Sequence, residues 1–153
     1  MSFQKCRHLP CIFFKLNGTC TVNEETAGGC PLEGTLQNVL LDLDTYGGAV
    51  DAADSIRSAI LRYDRPVVAF VNMQAASAGA LISIACDSIY MKTGSSIGAA
   101  TVVDQSGAVM PDKYQSFMRG MMRSTAQATG RDPEIAEAMV DTADVLSLTP
   151  EEA

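Results

Sequence analysis

Residues 66–86 run for 21 positions without a charged side chain, and a fold has to bury a stretch of that kind. It has three parts. Pro66-Val67-Val68-Ala69-Phe70-Val71 is rich in β-branched residues and reads as a strand. Leu81-Ile82-Ser83-Ile84-Ala85-Cys86 is apolar on every side. Between them, five of the six residues from Ala75 to Ala80 are alanine or glycine, and the sixth is Ser77. The stretch is long enough to cross a bilayer. However, Asn72, Gln74, Ser77 and Ser83 interrupt it, so a buried strand followed by a buried helix is expected. On this reading the chain shows no membrane anchor. A serine at such a junction has a helix N-terminus behind it, which favours developing negative charge. Its small neighbours let backbone or substrate approach, so Ser77 is a candidate nucleophile.

The flanking chain repeats the strand–helix alternation. Val39-Leu40-Leu41-Asp42-Leu43-Asp44 reads as a buried strand, and Thr45-Tyr46-Gly47-Gly48 as a tight turn. Residues 49–63 form an amphipathic helix with Val50, Ala53, Ile56, Ile60 and Tyr63 on one face. A strand follows at 67–72, then a short buried helix from Ser77 to about Cys86, then a strand at Ser88–Lys92. This β-α-β-α-β order predicts an α/β fold of parallel β-strands joined by crossover helices. Residues 94–103 read as extended, with a hairpin turn at Asp104-Gln105-Ser106-Gly107. Pro111 opens a long helix ending near Gly130. Asp132-Pro133-Glu134 starts another that runs to about Thr142. A similar start signal at Leu148–Ala153 predicts a chain truncated where a helix begins.

Composition narrows the function classes. The 153 residues carry 47% hydrophobic side chains and 12 glycines, which suits one globular domain. The net charge is −7 and no basic patch is evident, which argues against a nucleic-acid partner. Residues 1–37 show no helical or strand period and read as an irregular leader holding Cys6, Cys11, Cys20 and Cys30. Their C-x4-C-x8-C-x9-C spacing is not a common zinc pattern, and no metal site is expected. A small disulfide module is the other reading of those cysteines.

A nucleophilic serine needs a base. His8 is the only histidine and lies in the irregular leader, so a Ser-His-Asp triad would require that leader to cover the site. Ser-Lys pairs are the other ordinary arrangement. Lys5 and Lys15 also lie in the leader, and Lys92 ends a strand beside a turn. Lys113 follows the apolar run Ala108-Val109-Met110-Pro111 and precedes Phe117 and Met118, surroundings that favour a neutral amine. The bland reading of Lys113, a solvated lysine in a helix's first turn, stays open beside it. Gly47-Gly48 follows a buried strand, where a backbone N–H can face a carbonyl oxygen. Together with the Ala78 N–H it would make a two-donor oxyanion hole.

Four segments carry a resemblance. Leu43-Asp44-Thr45-Tyr46-Gly47-Gly48 resembles the L-D-T-P-G-G of NfeD-type, ClpP-class serine proteases, with Tyr46 in place of proline. Ala75-Ala76-Ser77-Ala78-Gly79 resembles their A-A-S-A-G nucleophile motif. Gly94-Ser95-Ser96-Ile97-Gly98-Ala99 is similar to their G-T-S-I-G-A, and Leu146–Ala153 to a segment just after their catalytic core. The resemblance covers roughly residues 38–153. It implies a ClpP/crotonase-like fold with a Ser77–Lys113 dyad, oxyanion donors at Gly48 and Ala78, and no cofactor. It also implies a membrane-associated, homo-oligomeric endopeptidase acting on hydrophobic segments of stomatin-like membrane proteins. Residues 1–37 match neither the strand nor the amphipathic helix that precede L-D-T-P-G-G in the family, which predicts a sheet lacking that edge strand. Two other functions fit the same fold. One is a non-catalytic scaffold or inactive fragment. The other is an acyl-CoA enzyme of the crotonase type, which the absence of glutamate between Glu33 and Glu134 disfavours.

Overall fold

Strand–helix alternation from residue 38 onward produces a largely parallel sheet with one helix buried against it. The computed structural model describes residues 11–17 and 38–153. Among them the strands are β1 (Cys11–Asn17), β2 (Asn38–Thr45), β3 (Val67–Ala76), β4 (Ser88–Met91), β5 (Ser96–Gly98) and β6 (Ser147–Leu148). The helices are α1 (Val50–Arg62), α2 (Ala78–Ala85), α3 (Asp112–Ala128) and α4 (Pro133–Ala138). The sheet order is β1-β2-β3-β5-β6, with β4 also paired to β3. Every pairing is parallel except β5 with β6. The α/β fold with parallel strands is therefore as expected.

β1 corrects one expectation. Part of the leader read as irregular is a strand, and it pairs in parallel with β2 from Cys11↔Asn38 to Asn17↔Asp44. The sheet does have a strand on that side of β2. Cys11-Ile12-Phe13-Phe14 shows no period-two alternation, and parallel strands often lack one, so a search for alternation passes over it. The expectations placed on residues 1–10 and 18–37, including His8 and the roles of Cys6, Cys20 and Cys30, lie outside the described residues.

Two boundaries also differ. β3 continues to Ala76 instead of ending at 72, because Gln74–Ala76 pair with Ser96–Gly98. α4 ends at Ala138 rather than near Thr142. The carbonyls that would extend it are used elsewhere: Ala138 O accepts from Leu146 N at 3.3 Å, and Met139 O from Ala100 N at 2.6 Å. The hairpin turn at 104–107 forms as expected. Asp104 Oδ1 accepts from Ser106 N, Ser106 Oγ and Ala108 N.

All eight residues of α2 are buried, as an all-round apolar helix requires. It packs on β2, β3 and β5 and meets α1 and α3 on its other side. Its core partners include Leu43, Val71, Met118 and Met122. Arg57 ties α1 to α3 by donating to Thr125 Oγ1, and to Ser124 Oγ at 3.2 Å. Cys86 closes α2, and its thiol donates to Ile82 O at 3.3 Å. Burial pushes this thiol up to about 12, far from the reactive thiolate range. In the folded protein Cys86 should resist alkylation by iodoacetamide at pH 8, and peptide mapping should find it modified only after unfolding. Because the folded value lies above the unfolded one, this group's contribution to stability is complete below the ordinary thiol value of 9.0. It is lost as pH rises toward about 12.

Candidate active site

β2 and β3 run side by side, and both end at the same edge of the sheet, where Thr45 pairs with Ala75. Beyond Ala76 the chain must turn sharply into α2. It does so at Ser77, with φ 54° and ψ −114°, a conformation that costs a non-glycine residue about 1–3 kcal/mol. Three backbone contacts hold it there. Ser77 N donates to Gly98 O at 2.9 Å, and Ser77 O accepts from Ala80 N at 3.0 Å and Leu81 N at 3.3 Å. The side chain caps nothing, so Oγ stays available at the helix N-terminus.

The surrounding small residues have a steric reason. A Cβ on Gly47 would lie 2.8 Å from Ser77 Cβ, and a Cβ on Gly79 would lie 2.7 Å from Thr45 Cγ2. The β2 turn and the first turn of α2 can approach this closely only because both positions are glycine. Thr45 is 1% exposed. Its Oγ1 accepts from Gly47 N at 3.1 Å and donates to Gly47 O at 3.1 Å. This fixes the arch that carries Tyr46 and leads into Gly48.

Ser77, Gly48 and Ala78 line one cleft of about 410 Å³. Its walls come from Val50 and Ala53 of α1, Met118 of α3, and Ala99–Val103. Among the described residues no charged one lines it. Ala78 opens α2, so its N–H has no intrahelical acceptor. Among the described residues neither that N–H nor the Gly48 N–H donates to a protein group. Three of the four residues singled out in the sequence therefore meet in one cleft.

Lys113 does not join them. It sits in the first turn of α3, exposed, with Nζ 4.8 Å from the centre of the Tyr114 ring. It lines an adjoining cleft with Asp51, Asp54, Tyr114 and Phe117. Val50 and Val102 line both clefts. Among the described residues no hydrogen bond links Ser77 Oγ to Lys113 Nζ. The Asp112 carboxylate, adjacent in sequence, is engaged by Arg119 Nη2 at 2.9 Å.

Gln115 was not legible as a site residue. It is 2% exposed, and its amide clasps Val102 from both sides. Val102 N donates to Oε1 at 2.9 Å, and Nε2 donates to Val102 O at 2.7 Å and Met110 O at 3.1 Å. It thereby fixes the wall shared by the two clefts. The available signal was helical spacing: Gln115 falls on the same stripe as Met118 and Met122, and a polar group on a core face needs partners. Gln115→Leu would strand two backbone groups, Val102 N and Met110 O, while Val102 O keeps its bond from Met110 N at 3.0 Å. Urea unfolding should show a loss of about 2–4 kcal/mol.

Against known families, residues 32–152 match the model described as NfeD1b, N-terminal domain. The chain belongs to this family. Membrane protein NfeD1b of Bacillus subtilis is 40% identical over 104 residues, 68% of this chain and 24% of that protein. Membrane-bound protease PH1510 of Pyrococcus horikoshii is 38% identical over 123 residues, 75% of this chain and 27% of that protein. The chain thus spans about a quarter of the length of these curated relatives. Among solved structures, a serine-to-alanine mutant of the 1510-N membrane-bound stomatin-specific protease superposes with TM-score 0.77 at 30% identity. That match covers 95% of this chain and 75% of the other. A lysine-to-alanine mutant of 1510-N, in complex with a substrate peptide, gives TM-score 0.70 at 36% identity, over 77% and 57% of the two chains. These neighbours confirm the ClpP-like α/β fold. Among the described residues no helix is long and apolar enough to cross a membrane.

Proposed function

We propose that the chain is the protease domain of a membrane-associated serine endopeptidase acting through a Ser-Lys dyad. The observation that carries this reading is the setting of Ser77: a strained turn at a helix N-terminus, inside a cleft that, among the described residues, has no charged lining and holds two backbone N–H groups without a protein acceptor. Support comes from the similarity to the 1510-N structures, in which a serine and a lysine were the residues replaced.

In this mechanism Lys113 leaves the Tyr114 ring and swings past Val102 into the Ser77 cleft. Its neutral amine takes the Ser77 proton, and Oγ attacks the scissile carbonyl. Gly48 N–H and Ala78 N–H hold the oxyanion, each worth about 10²–10³ in rate. Lys113 then protonates the leaving amine, and water hydrolyses the acyl-enzyme. Catalytic hydrogen bonds are often long in proteins without substrate and tighten on binding, so substrate entry supplies the drive for the swing.

The proposed substrates are hydrophobic segments of stomatin-like membrane proteins, and the proposed assembly is a homo-oligomer. The test is cleavage of an apolar peptide by the full chain, with products mapped by mass spectrometry. Cleavage that disappears in Ser77→Ala supports the reading, and cleavage that survives it rules out Ser77 as nucleophile. The placement of Lys113 in the neighbouring cleft favours a second reading, a binding scaffold without turnover. Peptide binding without cleavage would establish that one.

A further inference from the structure

Tyr46 is the most exposed large hydrophobic side chain among the described residues, at 79%, yet it lines the Ser77 cleft. Its backbone is not free to wander. Thr45 Oγ1 binds Gly47 on both its N–H and its carbonyl, so Tyr46 sits at the tip of an arch closed on each side. Gly47 in turn is packed against Ser77. The backbone that carries the ring is therefore held beside the nucleophile and the Gly48 N–H.

The rest of the cleft explains what such a ring is for. Val50, Val102, Val103, Met118 and Val145 supply apolar walls. Thr101, the other polar side chain there besides Ser77 and Tyr46, spends its hydroxyl on Asp141 O at 2.7 Å. Among the described residues a charged substrate side chain would find no charged partner in the cleft, and it would lose its hydration there. A large apolar one would cover the ring face, and an aromatic side chain with only two torsions offers such area at low entropic cost.

We infer that Tyr46 is a specificity-determining residue, which selects a large apolar side chain at one of the two positions flanking the scissile bond. This rests on the protease reading for the meaning of that bond, but not for the contact itself. Proline stands at this position in the motif that the turn resembles. Tyr46→Pro removes the ring, and the Thr45–Gly47 bonds that close the arch do not use residue 46.

The test uses peptides that differ only at one flanking position, carrying Leu, Phe or Ala. Cleavage by the full chain is measured for kcat/KM, and binding to Ser77→Ala by fluorescence polarisation. The unsubstituted chain should favour Leu or Phe over Ala by about tenfold or more, the worth of a few methylenes in an apolar pocket. Tyr46→Pro should collapse that ratio in both assays, and Tyr46→Phe should keep it. A ratio that survives Tyr46→Pro overturns the inference. So does an equal loss on every peptide, which would mark a structural role. If nothing is cleaved but the binding ratio still collapses, Tyr46 keeps its role and only the protease reading fails. If no peptide binds, the inference falls as well.

Discussion

Lys113→Ala should lower peptide cleavage by about 10²–10⁴-fold, the usual contribution of a positioned proton-transfer group, while leaving the fold intact. The side chain is exposed, and its Nζ lies over the Tyr114 ring. An exposed cation–ring contact is worth about 0.5–1 kcal/mol. Its loss is small beside the catalytic effect, so any large drop in turnover with little change in the urea midpoint points to proton transfer. Tyr114→Leu separates the two roles of that ring. It frees Lys113 without touching Ser77, so cleavage should hold or rise. A loss as large as that of Lys113→Ala would mean that Tyr114 itself is needed for turnover.

Gly98→Ala should be strongly damaging. Its Cβ would lie 2.4 Å from Leu146 O and 2.8 Å from Ser147 Cα, and the residue sits at φ +137°. Both neighbours are backbone, Ser147 in β6 and Leu146 just before it with its carbonyl bonded by Ala99 N, so neither can rotate away. Strain and overpacking together should cost about 2–5 kcal/mol by urea unfolding. Activity should fall as well, because Gly98 O accepts the Ser77 N–H. Gly94→Ala is the matched control. Gly94 also has positive φ, at +83°, but nothing lies within 4 Å of the added carbon. Only the conformational cost should remain, about 1 kcal/mol.

These two glycines show where sequence reasoning stops. Both are visible as turn or strand punctuation, and nothing local distinguishes them. The difference lies in Leu146, a residue 48 positions beyond Gly98. The buried strand–helix unit at 66–86 was legible because absence of charge and small residues are local signals. The Ser77 cleft was legible in part for the same reason, since Gly48 and Ala78 sit in short motifs beside strand ends. β1 was not legible, because parallel strands often carry no alternation. The end of α4 was missed because carbonyls that could have extended the helix are taken by Ala100 and Leu146. The placement of Lys113 beside Tyr114 in the adjoining cleft is a tertiary outcome that no local signal carries. Residues 108–118 read as apolar along the chain, but in the fold Lys113 is exposed and shares its cleft with Asp51 and Asp54.

The central claim is that Ser77 is an activated nucleophile and that Lys113 activates it. The most direct measurement is the rate at which a fluorophosphonate modifies the full chain, with the adduct mapped by mass spectrometry. A single adduct on Ser77, absent in Ser77→Ala and formed at least tenfold more slowly in Lys113→Ala, is the predicted result. An unmodified Ser77, or a rate unchanged in Lys113→Ala, would contradict it.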